Sequence, residues 1–236
     1  MKARGKKRGR AASGKVEVER ARPAPKREAR AAPQREARRA PAHDERDAPV
    51  RDARAAPGRG ARKPAARLSR IRLLALDVDG VRTDGRIAYG AYGPADQIQH
   101  FHVQDGLALR WLAREGVAIA WITGRGCMAN IQRARELEID ELCERVEDKG
   151  VALREIQSRR SISMEETAAM GDDLPDLALR AASGFFAAPA NAVPEVRARA
   201  DLVTRASGGA GAVRELVEAI LRAKGRWQAI LDAALR

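Results

Sequence analysis

Five short apolar runs recur along the C-terminal two-thirds of the chain: IRLLALDV (71–78), GVAIAWIT (116–123), ETAAMGD (166–172), SGFFAAPA (183–190) and ADLVT (200–204). They are interleaved with stretches of helical periodicity, GLALRWLARE (106–115), ANIQRARELEI (129–139), GVALREIQSRR (150–160), DLALRAAS (176–183) and AVRELVEAILRA (212–223). A strand that is apolar on both faces has to be covered on both sides. With helices between the runs, the covering layers are supplied by crossover connections. The pattern therefore predicts an α/β fold with a parallel sheet and helices on both faces. The stretch RIAYGAYGPADQIQHFHV (86–103) breaks the rhythm, and its Gly-Pro centre between strand-like halves predicts a β-hairpin projecting from the sheet edge.

In open parallel sheets, ligands bind beyond the carboxyl ends of the strands. Here the polar punctuation falls at those ends. Asp77 and Asp79 follow the first run, Thr123-Gly124-Arg125 the second, and Gly171-Asp172-Asp173 the third. Three strands delivering polar groups to one rim point to chemistry more than to turn formation.

Composition divides the chain. Residues 1–70 hold 23 Lys+Arg against 8 Asp+Glu, whereas residues 71–236 hold 22 against 24, so the net charge of +13 belongs to the N-terminal third. That third also contains seven of the eleven prolines and no aromatic residue, in near-repeats such as REARAAPQREARRAPA. Too little apolar surface is present to offset the entropy of ordering it, so residues 1–69 are expected to be a disordered basic Ala/Arg/Pro-rich tail, with the domain at 70–236. Any nucleic-acid contact is expected only through this tail and only non-specifically, since no aromatic side chain can stack on a base. No apolar core follows the basic start and no run is long enough to span a bilayer, which predicts a soluble, cytoplasmic protein without a membrane partner. Cys127 and Cys143 lack paired or zinc-type spacing and read as free thiols.

The D-x-D-G stretch places Asp77 and Asp79 on one face of an extended chain, with Gly80 permitting a sharp bend. One carboxylate can attack an electrophile while the other donates and retrieves a proton. The same spacing also occurs in turns and calcium loops. Asp172 and Asp173 can complete a magnesium site with Asp77, or cap the helix after GDDLPD, or do both. Thr123 and Gly124 suit a phosphoryl oxygen, and Lys149 can supply a point positive charge or simply begin a solvated helix.

Taken in order, D-x-D-G, Thr-Gly-Arg, Lys and Gly-Asp-Asp resemble the haloacid dehalogenase-like phosphohydrolases. LDVDGVRTDGRIAY, FHVQDGLALRWL, ITGR, VEDK, GDDLPDL, ADLVTRASGGAGAVREL and GRWQAIL, across residues 70–234, resemble more narrowly the 3-deoxy-D-manno-octulosonate 8-phosphate phosphatase family. That resemblance implies a Rossmann-like fold without a large cap domain, a Mg²⁺ cofactor, a sugar acid phosphate substrate, a role in lipopolysaccharide biosynthesis and a homotetramer. It makes Asp77 the nucleophile that forms an aspartyl-phosphate, and Asp79 the general acid and then base. Asp77, the Asp79 carbonyl and Asp172 become the metal ligands, with Asp173 and Asp176 behind them. Thr123 and Lys149 steady the phosphoryl group.

By motif position, the substrate contacts fall on Asp79, His102, Val103, Gln104, Asp105, Gly106, Arg110, Arg125, Arg133 and Lys149. Three positions depart from the family pattern: Gln104 where an Arg is usual, Arg82 where an apolar residue is usual, and Ala210 inside the Gly-rich turn. They bear on the sugar before they bear on the chemistry. Two alternatives stay open, a phosphatase for a nine-carbon sialic-acid-type sugar 9-phosphate, and a nucleic-acid-binding protein acting through its basic arm.

Overall fold

The computed structural model describes residues 64–90 and 97–235. The stretch expected to be a disordered tail therefore falls outside the described residues up to position 63, as does the tip of the expected hairpin.

Strand β1 (Leu73–Leu76) has all four residues buried, as a central strand must. Its side chains alternate between two cores. Leu74 and Leu76 join one apolar cluster and Leu73 and Ala75 the other. The remaining strands of the sheet are β4 (Ala118–Ile122), β5 (Glu141–Cys143), β6 (Thr167–Met170), β7 (Phe185–Ala188) and β8 (Leu202–Val203). All six run parallel, in the order β5-β4-β1-β6-β7-β8. Between them, β2 (Ala88–Tyr89) and β3 (Gln97–Ile98) pair antiparallel as a separate hairpin.

Helices α1 (Pro64–Leu68), α2 (Val103–Arg114), α3 (Met128–Leu137), α7 (Ala212–Ala223) and α8 (Trp227–Ala234) contribute to the core on one face of the sheet. Helices α4 (Lys149–Arg160), α5 (Leu177–Ala181) and α6 (Pro194–Arg197) contribute to the core on the other. The apolar stripe of α7 is a regular i, i+3, i+4, i+7 series, Val213, Leu216, Val217 and Ile220, all fully buried. The doubly covered parallel sheet is the architecture the sequence predicts.

The differences are local. Helix α1 falls on the tail side of the expected boundary at residue 70. Its Leu68 is buried, and Arg67 donates to Asp201 at 2.7 and 2.9 Å and to the carbonyl of Gly184. Strand β5 has no counterpart among the expected runs. Helix α2 starts at Val103, so positions 103–106, expected at the hairpin end, form a first helical turn.

The chain steps from β1 to β4 and β5 on one side, then returns to β6 on the other. The topological switch therefore lies between β1 and β6, and the crevice at their carboxyl ends is the place where such folds take a ligand.

Candidate active site

Asp77 is the first residue beyond β1 and is held in line by its N–H donating to the Met170 carbonyl at 3.0 Å. The chain then turns tightly, with the N–H groups of Arg82 and Thr83 both donating to the Val78 carbonyl, at 2.8 and 3.1 Å. The turn needs a residue at Gly80 with φ of +92°, and a Cβ there would fall 2.1 Å from Asp172 Oδ2. Only glycine brings the loop after β1 this close to the carboxylate that follows β6.

Asp172 enters from the turn after β6. Asp176 lies in the short 3-10 turn Leu174–Asp176, and its Oδ2 accepts from the N–H groups of Asp172 and Asp173 at 2.9 and 3.2 Å. Its Oδ1 faces the other way and accepts from Lys149 Nζ at 2.5 Å; the same ammonium donates to Asp77 Oδ1 at 2.6 Å. Lys149 is the first residue of α4, whose N-cap Asp148 accepts from the Val151 N–H at 2.9 Å. One ligand atom from each of Asp77, Asp172 and Asp176 lies within 4.8 Å of the other two.

These groups bury charge and show it. Burial, and then the neighbouring Asp176, push the Asp77 carboxyl well above its ordinary value, against the pull of Lys149. Burial, followed by Asp176 and Asp173, raises Asp172 to about 7. Burial disfavours the Lys149 ammonium, yet Asp77 and Asp176 outweigh it and hold its pKa above the usual lysine value. Asp172 Oδ1 is buried without a hydrogen-bond partner. An acidic triad with an orphaned oxygen is a donor set suited to a hard divalent cation.

The rim comes from the loops after β1 and β4. Thr123 Oγ1 accepts from the Arg125 N–H at 3.1 Å and lies 3.5 Å from Asp79 Oδ2. Arg125 Nε stands 3.7 Å from the same oxygen, and burial raises the Asp79 pKa in spite of it. Asp77, Asp79, Thr123, Arg125, Lys149, Asp172, Asp173 and Asp176 all line one cleft of about 320 Å³. Asp173 caps its turn, accepting from Leu174 N–H at 2.7 Å.

The other expected substrate contacts are not brought to this cleft within a single chain. Val103, Gly106, Arg110 and Arg133 line a separate groove between α2 and α3, where Arg110 donates to the Glu136 carbonyl and Arg133 to the Glu136 carboxylate. His102 precedes α2 and Gln104 is exposed on it. Asp105 is fully buried and accepts from the Arg214 N–H at 2.7 Å, tying α2 to the start of α7. Arg82, the unexpected charge in the turn that follows β1, is also fully buried and stacks over Trp121 at 4.6 Å; burial lowers its pKa to about 10.

Sequence reasoning did not single out Gln99, whose Nε2 donates to Asp79 Oδ1 at 2.8 Å, because nothing in a short polar hairpin marks one amide over another. It did not single out Asn191 either. Its Nδ2 donates to the Gly80 carbonyl at 3.0 Å and its Oδ1 accepts from the Gly208 N–H at 2.6 Å, so the Gly-rich turn before α7 is pinned against the loop after β1.

A parallel sheet with paired aspartates after its central strand, a Thr-Gly rim, a lysine at the start of α4 and acidic groups across the switch point define a haloacid dehalogenase-like hydrolase. The model of that family matches residues 136–216. The KdsC 3-deoxy-D-manno-octulosonate 8-phosphate phosphatase of Escherichia coli K12 is 38% identical over 161 residues, covering 68% of this chain and 85% of that protein. Its counterpart from Yersinia pestis is 39% identical over 160 residues, covering 68% and 84%. The phosphatase of the same name from Moraxella catarrhalis, solved with magnesium, phosphate and KDO, superposes with a TM-score of 0.70 at 37% identity, covering 73% of this chain and 97% of that one. The chain belongs to the 3-deoxy-D-manno-octulosonate 8-phosphate phosphatase family.

Proposed function

We propose that this protein hydrolyses 3-deoxy-D-manno-octulosonate 8-phosphate to the free sugar acid and phosphate, with Mg²⁺ as cofactor and an aspartyl-phosphate on Asp77 as intermediate. The observation that carries the reading is the meeting of Asp77, Asp172 and Asp176 in one cleft, with Lys149 between Asp77 and Asp176. Asp77 and Asp172, with the Asp79 main-chain carbonyl, would hold the Mg²⁺, which when bound offsets negative charge on the phosphoryl oxygens.

The chain's own groups carry the remaining work. Lys149 engages Asp77 Oδ1, leaving Oδ2 as the oxygen that attacks phosphorus. Its ammonium and the Thr123 hydroxyl hold the phosphoryl group in line with that oxygen. Asp79, its pKa raised by burial, delivers a proton to the departing sugar oxygen and then takes one from the water that hydrolyses the aspartyl-phosphate. Arg125 supplies a cation at the rim for an acidic sugar. Arg110 and Arg133 act on substrate in this reading only within the expected homotetramer, which sedimentation velocity tests.

The decisive experiment is phosphate release from a panel of sugar acid phosphates, eight-carbon and nine-carbon, with Mg²⁺ and with EDTA. The expected result is Mg²⁺-dependent turnover that favours the eight-carbon 8-phosphate. Feeble and equal rates on every substrate would refute it.

A further inference from the structure

The two carboxylate oxygens of Asp79 have different surroundings. Oδ2 faces Thr123 Oγ1 at 3.5 Å and Arg125 Nε at 3.7 Å, both too long for a strong hydrogen bond. Oδ1 has a close partner, Gln99 Nε2, at 2.8 Å. The far end of that amide is fixed as well, since Cys127 donates its Sγ–H to Gln99 Oε1 at 3.4 Å. The Asp79 carboxylate, which only accepts, sets which way round the amide lies, with its NH₂ toward Asp79 and its oxygen toward the thiol. Cys127 is itself anchored, its main-chain N–H donating to Glu144 Oε1 at 3.1 Å.

Gln99 directly follows β3, in a hairpin whose ladder is only two residues per strand. So short a ladder contributes little stability of its own, and side-chain contacts to the domain decide where it sits. A second contact of the same kind joins Arg125 to Gln97 Oε1 at 3.4 Å.

We infer that Gln99 is the positioning residue for Asp79, holding Oδ1 on the hairpin side so that Oδ2 is the oxygen that meets the substrate. The inference rests on the phosphatase reading above. In the first chemical step the Asp77 oxygen forms its bond to phosphorus as the phosphorus–oxygen bond to the sugar breaks. The electron pair of the broken bond stays on the sugar oxygen, which takes the proton from Asp79. Rotation of the Asp79 carboxyl would exchange its two oxygens, and the Gln99 amide is the group that opposes this rotation. Cys127 acts one contact further away, at the oxygen end of the amide.

The test compares full-length wild type with Gln99→Leu and Gln99→Glu, which remove the donor, and Gln99→Lys, which keeps one at similar reach. Two substrates are used with Mg²⁺: the sugar acid phosphate, whose alkoxide leaving group needs a proton, and p-nitrophenyl phosphate, whose leaving group does not. The readout is kcat/KM, which reports ester cleavage. Gln99→Leu and Gln99→Glu are expected to lose on the order of 10–100-fold on the sugar phosphate and less than about threefold on the aryl phosphate. Gln99→Lys is expected to recover most of the loss. Competitive inhibition by inorganic phosphate and the melting temperature are expected to stay at wild-type values. Equal losses on both substrates, weakened phosphate inhibition, or no loss at all would overturn the inference. A wild type that releases phosphate from neither substrate would overturn the phosphatase reading itself.

Discussion

Asp172→Asn is expected to make the metal-free protein more stable while abolishing its response to Mg²⁺. Asp172 is carried from 3.8 to about 7, first by burial and then by the charges of Asp176 and Asp173, and its Oδ1 has no hydrogen-bond partner. A carboxyl whose folded-state pKa lies above its unfolded value favours the folded state only while protonated. The wild type without metal therefore loses stability as pH rises from about 4 to 7, because over that window the folded chain binds more protons than the unfolded one. At 1.36 kcal/mol per pH unit the full effect is roughly 4 kcal/mol. Partial exposure of the side chain and water in the open cleft reduce it to about 1–3 kcal/mol.

The amide of asparagine keeps the shape and removes the charge. In EDTA at pH 8, urea unfolding is expected to show the variant more stable by about 1–3 kcal/mol, and the gap is expected to narrow as pH falls and to close below about pH 4, where the carboxyl holds its proton in both the folded and the unfolded chain. Added Mg²⁺ is expected to stabilise the wild type and leave the variant unchanged. A variant less stable than wild type at pH 8, or a difference that does not move with pH, would refute the argument. Asp172 would then be an ordinary structural acceptor.

Lys149→Met is expected to act in the opposite direction, costing the metal-free protein about 3–5 kcal/mol at pH 8, because Asp77 and Asp176 lose the ammonium between them; acid titration of the unfolding midpoint should recover part of it as the carboxyls protonate. Gly208→Ala puts a Cβ 1.8 Å from the Gly80 carbonyl oxygen, and is expected to cost about 1–3 kcal/mol by thermal unfolding and on the order of 10–100-fold in kcat as the loop after β1 shifts. A chain beginning at Pro64 is expected to match full length in turnover and melting. One beginning at Ile71 gives up Leu68 and the Arg67–Asp201 pair, and is expected to be about 2–4 kcal/mol less stable by urea unfolding.

Most of the sheet was legible because its strands are central. β1, β4, β6 and β7 are buried on both faces, so each had to be an apolar run of strand length. β5 has a neighbour on one side only, and its three residues are half-buried, so Glu141-Leu142-Cys143 leaves no such run. The start of α2 was hidden for a different reason. The helical stretch read from the sequence begins at Gly106, because Gln104 and Asp105 interrupt the apolar pattern ahead of it, whereas α2 begins at Val103. Helix α1 is hidden in the sequence because a five-residue element beside a basic low-complexity stretch carries almost no periodic signal.

The site divides the same way. Asp77, Asp79, Thr123 and Asp172 stand at strand ends, where topology alone directs them to one rim. Asp176 does not, and spacing after GDD makes it a helix-start residue. The 3-10 turn folds it back beneath Gly171, where it meets Lys149 and joins the other two carboxylates. Its presence fixes the charge of the cluster. Asp77, Asp172 and Asp176 against the one ammonium of Lys149 leave a formal charge of −2 in a buried space. A divalent cation matches that charge. Without one, taking up protons relieves it, and burial, followed by the neighbouring carboxylates, raises both Asp77 and Asp172 in that direction. The preference for a divalent cation is therefore set by the whole group, including the carboxylate and the ammonium that do not need to touch the ion.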